Sequence, residues 1–130
     1  MKETTYLLFK LRGHGAAHIG LLPAIKPNYA GEALYEFGLG TWSNTKALFR
    51  KVGDANAYLV GVADSVSNSV LMPYWVSWKD HIFSMGTGDQ VGQNILLTHD
   101  DRAATPMAIN YLGFASWGSN VNTFVYNNGK

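Results

Sequence analysis

Apolar and polar positions alternate with a period of two along most of this chain, the pattern of half-buried β-strands. Thr4–Leu11 and Ala16–Leu22 read as two strands across the turn Arg12-Gly13-His14-Gly15. In Glu32–Leu39 one face carries Ala33, Tyr35, Phe37 and Leu39. In Thr45–Lys51, Ala47 and Phe49 oppose Lys46 and Arg50. Ala57–Ala63 is a short apolar strand. Met72–Trp78 sets Met72, Tyr74, Val76 and Trp78 on one face and Trp75 on the other. Lys79-Asp80 then reads as a two-residue turn into His81–Met85, closing a hairpin. Met107–Ala115 and Val121–Tyr126 end the chain, and the longest stretch without a pattern runs from Asp89 to Pro106.

This makes about nine strands, each bounded by Gly, Asn, Asp, Ser or Pro. No window holds an i, i+3, i+4 apolar face for the length of a helix. The pattern predicts an all-β fold, an antiparallel β-sandwich with a jelly-roll-like form as its nearest variant. A length of 130 residues predicts one domain over 1–130, large enough to bury a core without a covalent staple.

Composition narrows the function more than the fold. Charged residues are only 15% of the chain and the formal net charge is +1, with no Lys/Arg run, which argues against nucleic acid as a partner. There is no cysteine, so a thiolate nucleophile, thiolate metal site or disulfide is excluded. The N-terminal apolar run is too short for a signal peptide or a membrane span. The compartment stays open, cytoplasmic or secreted after processing.

Catalytic signatures are missing. Gly38-x-Gly40 and Gly86-x-Gly88 supply glycine pairs, but neither opens a helical pattern as a dinucleotide or methyl-donor loop requires. His14 and His18 lie four apart, about 13 Å along a strand, too far to share a metal. They read as a turn histidine and a half-buried strand histidine. His99-Asp100-Asp101-Arg102 is the densest polar cluster and lacks the spacing of a calcium loop, so it reads as a solvated turn. No catalytic residue, metal ligand or cofactor is assigned.

The aromatic and amide residues suggest binding instead. Trp42 and Trp117 stand beside turn residues, next to Asn44, Asn120 and Asn122. Pyranose rings present C–H faces that stack on indole, and their hydroxyls need paired donors and acceptors such as amides. Asp80 and Asp89 offer carboxylate acceptors. The competing reading is a corner tryptophan plugging the end of the sandwich while asparagine holds the turn. The two turns also echo each other, since Trp42 leads to Phe49 and Trp117 to Phe124: either they face each other at one end of the sandwich, or they are two glycine-serine-asparagine turns that happen to look alike.

Tyr35-Glu-Phe-Gly-Leu-Gly-Thr-Trp-Ser-Asn-Thr-Lys-Ala-Leu-Phe-Arg50 resembles the central motif of the farnesoic acid O-methyltransferase-like domain. Ala17-His-Ile-Gly-Leu21, Tyr74-Trp-Val-Ser-Trp-Lys-Asp-His-Ile-Phe-Ser-Met-Gly-Thr-Gly88 and Tyr111-Leu-Gly-Phe-Ala-Ser-Trp-Gly-Ser-Asn120 resemble further blocks of that family, in order. The match spans about Tyr6 to Tyr126. His81 departs from it, at a place where the family pattern leads one to expect glycine after the hairpin turn. The family name implies methylation of a sesquiterpenoid acid, whereas similar modules appended to extracellular and complement-like proteins imply binding or adhesion. The expectation is a non-catalytic, lectin-like module for a glycan, with Trp117, Asn120, Asn122, Trp42, Asn44, Asp80 and Asp89 as its contacts. A SAM-dependent methyltransferase is one alternative. A protein-interaction or adhesion module, self-associating as a homo-oligomer, is the other. The resemblance makes Gly38, Gly40 and Trp42 parts of a shared corner, so the Trp117–Asn122 turn and the Asp89–Pro106 loop come first as ligand sites.

Overall fold

The computed structural model describes residues 5–22, 35–51, 58–63, 65–101, 109, 111–116 and 122–126. Their strands are β1 Tyr6–Gly13, β2 Ala17–Leu22, β3 Tyr35–Gly40, β4 Lys46–Lys51 and β5 Tyr58–Gly61, then β6 Met72–Ser77, β7 Ile82–Thr87, β8 Ile95–Asp100, β9 Tyr111–Ser116 and β10 Asn122–Tyr126. They build two antiparallel sheets, ordered β10-β1-β6-β7-β8 and β5-β4-β3-β2-β9. β1 and β2 fall in different sheets, so the turn between them is a corner, not a hairpin.

In β1 the alternation read from the sequence is the alternation of burial, whereas β2 and β3 are buried at every position. Leu7, Phe9 and Leu11 of β1 face Tyr35, Phe37 and Leu39 of β3 across one core, with Phe49, Tyr74, Val76, Phe83 and Met85. Aromatic rings fill much of it: Tyr35 lies 4.2 Å from Phe83 between ring centroids, and Phe49 lies 4.8 Å from Phe83. The Tyr74 hydroxyl donates to the Ser65 carbonyl, and burial pushes its pKa up to about 12.

Three expectations need correction. There are ten strands among the described residues, because the stretch from Asp89 contains β8. Its Leu97 and His99 point inward opposite Met85 and Phe83, and a histidine at an inward position hid the alternation. His99 and Asp100 therefore belong to a strand rather than a solvated turn. The β6–β7 turn is a short 3-10 segment, Lys79–His81, instead of two residues. Within it Asp80 and His81 have φ of 56° and 58°, so His81 holds the left-handed backbone that glycine adopts without cost.

Trp75 shows how one face can be buried twice. It points away from the core, yet is 0% exposed. Its indole lies over Gly86 of the neighbouring strand, and its Nε1 donates to the Gln93 carbonyl at 2.8 Å.

Candidate functional site

The candidate site is the end of the sandwich where β1 stops and β4 starts. Three loops are bonded there in a ring. The Gly13 amide donates to Ser67 O at 2.9 Å, and the Ala16 amide donates to Gly40 O at 2.8 Å. Asn44 completes the ring: its Nδ2 donates to Val66 O at 2.7 Å, and its Oδ1 accepts from the Val66 amide at 3.2 Å. Gly15 is required where the loops cross. It has φ of 101°, and a Cβ there would lie 2.4 Å from Gly40 O.

Asn122 does for Gly15 what Asn44 does for Val66. Its Nδ2 donates to Gly15 O at 2.9 Å and its Oδ1 accepts from the Gly15 amide at 3.2 Å. Nδ2 also reaches Ser116 Oγ at 2.9 Å. Each asparagine thus clasps both polar groups of one distant peptide residue, where water would otherwise compete for them. Replacing either with alanine removes both bonds of its clasp. We expect Asn44→Ala and Asn122→Ala each to lower stability by about 2 kcal/mol, read from urea unfolding.

The clasped turn presents Trp42. Gly40, Trp42, Ser43 and Asn44 have φ of 63°, 50°, 56° and 63°, so the helical turn Thr41–Asn44 is largely left-handed. That backbone costs a bulky residue about 1–2 kcal/mol. The Asn44 clasp, Thr41 Oγ1 donating to Lys46 O at 3.0 Å, and Thr45 Oγ1 donating to Trp42 O hold it. The indole is 56% exposed, so it does not plug the corner. The Lys46 ammonium sits 5.3 Å from its ring centroid. At the same end, a polar depression of about 390 Å³ is lined by Gly13, His14, Asn44, Val66, Ser67 and Asn68.

The other expected contacts scatter. Trp117 and Asn120 lie outside the described residues. Asp80 is at the opposite end, because the Trp78 amide bonds to Thr5 O at the start of β1. Eight residues of strand separate the two ends, about 25 Å. Asp89 borders a second, apolar depression of about 280 Å³ on the outer face of β1, with Leu8, Lys10, Pro73 and Val125. Asp101 accepts the Tyr35 hydroxyl at 2.9 Å. Burial, followed by that bond and the charge of Asp101, keeps the Tyr35 phenol well above its ordinary range. Among the described residues, no group of three or more His, Asp or Glu side chains is arranged to hold a metal. Nor is any helix among them long and apolar enough to cross a membrane.

One cluster was not anticipated. Glu36 Oε1 accepts from Arg50 Nε at 2.9 Å and lies 3.2 Å from His18 Nδ1, on the face of β2, β3 and β4 opposite the core. His18 and Glu36 are nonetheless buried. Burial alone would raise the Glu36 carboxyl, but the His18 hydrogen bond and the charges of His18 and Arg50 outweigh it and hold the pKa below its ordinary 4.5. The signal was in the register: pairing Phe37 with Phe49 places Glu36 opposite Arg50.

The family model for farnesoic acid O-methyl transferase matches residues 1–130. The chain belongs to this family. No curated protein and no solved structure matches it. Two of the motif blocks that resemble the farnesoic acid O-methyltransferase domain map onto structural parts: Gly40 and Asn44 on the ring of loops, and Tyr74 to Gly88 on the β6–β7 hairpin. Of the aromatic residues in its central motif, Tyr35, Phe37 and Phe49 are buried in the core and Trp42 is exposed.

Proposed function

We propose that this chain is a non-catalytic binding module that recognises carbohydrate at the Trp42 end of the sandwich. One observation carries the reading: an exposed indole on a left-handed turn whose backbone is pinned from three sides. A rigid aromatic platform loses little conformational entropy when a flat apolar face stacks on it. The adjoining depression offers the His14 ring and the Asn68 side-chain amide for sugar hydroxyls, while Ser67 Oγ already accepts from the Ser69 and Val70 amides. Asn44 and Asn122 act in this reading as supports, because their amides are already engaged with backbone. Trp117 and Asn120 keep the role of contacts proposed from sequence.

A glycan array tests the proposal with wild type and Trp42→Ala. Binding of at least one glycan class by wild type, reduced tenfold or more in Trp42→Ala with the unfolding midpoint unchanged, is the expected result. A folded wild-type protein that binds nothing on the array would sink it.

The family's name favours a second reading, O-methyl transfer to farnesoic acid. That reaction needs room for a methyl donor and a terpenoid chain together, and the apolar depression among the described residues measures about 280 Å³, at the lower limit for a small-molecule site. Calorimetry with S-adenosylmethionine separates the readings: measurable heat and a thermal shift would favour the enzyme.

A further inference from the structure

The charge beside the indole bears on which sugar the site takes, an inference that rests on the recognition role proposed for Trp42. Lys46 Nζ stands 5.3 Å from the Trp42 ring centroid. Among the described residues it makes no ion pair with a carboxylate; Glu36 pairs instead with His18 and Arg50. The Lys46 backbone is fixed, since its carbonyl accepts from Thr41 Oγ1 at 3.0 Å and the residue pairs with Gly61 in β5. The ammonium, over the ring on a flexible four-carbon stem, is the adjustable part. An indole face already next to a cation also disfavours a cationic ligand, because the two charges repel across one ring.

We infer that the Trp42 end selects a pyranose bearing an anionic substituent, a carboxylate or a sulfate ester, with the ring stacked on Trp42 and the anion paired to Lys46. The stacking supplies the shape and the ammonium supplies the charge. A neutral sugar has nothing to offer Lys46 beyond a hydroxyl. A charge-assisted hydrogen bond is about twice as strong as a neutral one, so the anionic ligand binds the more tightly.

The test is titration of the full chain with three short oligosaccharides: an oligogalacturonate, a sulfated oligosaccharide and a neutral galactose oligomer of equal length. Wild type is expected to bind at least one anionic probe about tenfold more tightly than the neutral one. Lys46→Gln is expected to remove that preference and Lys46→Arg to keep it, while Trp42→Ala weakens binding of every probe. The carboxylate and sulfate arms distinguish the two sources of charge. Equal binding of neutral and anionic probes, indifferent to Lys46→Gln but lost in Trp42→Ala, would overturn the charge selection and leave sugar recognition standing. Binding of no probe by the folded protein would overturn both. Anionic binding that survives Trp42→Ala would also overturn the inference, because it would place the anion elsewhere.

Discussion

Gly86→Ala is expected to destabilise the protein by about 3 kcal/mol, the cost of forcing a methyl group into a packed contact and breaking a buried hydrogen bond. The methyl carbon would stand 2.5 Å from Cε2 and Cζ2 of Trp75, well inside contact distance. The indole has no easy retreat. It is fully buried, and its Nε1 is tied to Gln93 O. Moving it would leave a buried donor unpaired and disturb the β7–β8 loop as well as β6. Gly61→Ala is the matched control. Among the described residues, no atom beyond its two chain neighbours lies within 4 Å of the position its methyl would take. It is expected to leave stability unchanged or raise it by about 0.5 kcal/mol, by narrowing the unfolded ensemble. Urea unfolding of the two variants against wild type reads both. Similar losses in both would mean that Trp75 does not sit over Gly86.

Glu36→Ala comes next, with an expected loss of about 3 kcal/mol at pH 7. Removing one member of a buried ion cluster strands the others, and here His18 is buried and Arg50 half-buried. The pH dependence tells this apart from a packing defect. The folded carboxyl binds its proton more weakly than the unfolded one, so its contribution is complete above the ordinary value of 4.5 and fades as pH falls through the lower, folded value. The gap between wild type and Glu36→Ala should therefore be widest near neutrality and close on acidification below about pH 4.5. A gap that stays constant down to pH 3 would mean that the charge on Glu36 does not matter to the fold.

Strand positions were the most legible part of this sequence, because period-two burial depends on little beyond the strand itself. Tyr35, Phe37 and Leu39 were placed on one face from alternation, and all three are fully buried. β8 was not legible, since its inward row pairs Leu97 with a histidine, His99. The burial of Trp75 depends on a glycine in a neighbouring strand and a carbonyl from a loop, neither of which sequence spacing reveals.

The candidate site was half legible. Trp42 and Asn44 were picked out together as an indole and an amide in a turn, and they share that turn. Their separate tasks were hidden, because the direction of a loop side chain depends on the signs of φ along it. Asn44 points into the ring of loops, where two backbone groups occupy it, and Trp42 points to solvent. Asp80 looked equally suitable as a sugar acceptor, yet the sheet topology carries it to the far end. Asn122, at the end of the second of the two similar turns, makes a clasp like that of Asn44, while Trp117 and Asn120 of that turn lie outside the described residues.

Recognition at Trp42, with the clasping asparagines as its scaffold, is what we propose for this end of the sandwich. Its most direct test is the set of tryptophan indole N–H signals in a nitrogen-15 correlation spectrum, recorded while the best-binding oligosaccharide is added. Trp42→Phe assigns the Trp42 signal and Trp75→Phe the buried one. The Trp42 signal is expected to move with ligand concentration while the Trp75 signal stays in place. A Trp42 signal that stays fixed at saturating ligand, with the protein folded throughout, would contradict it.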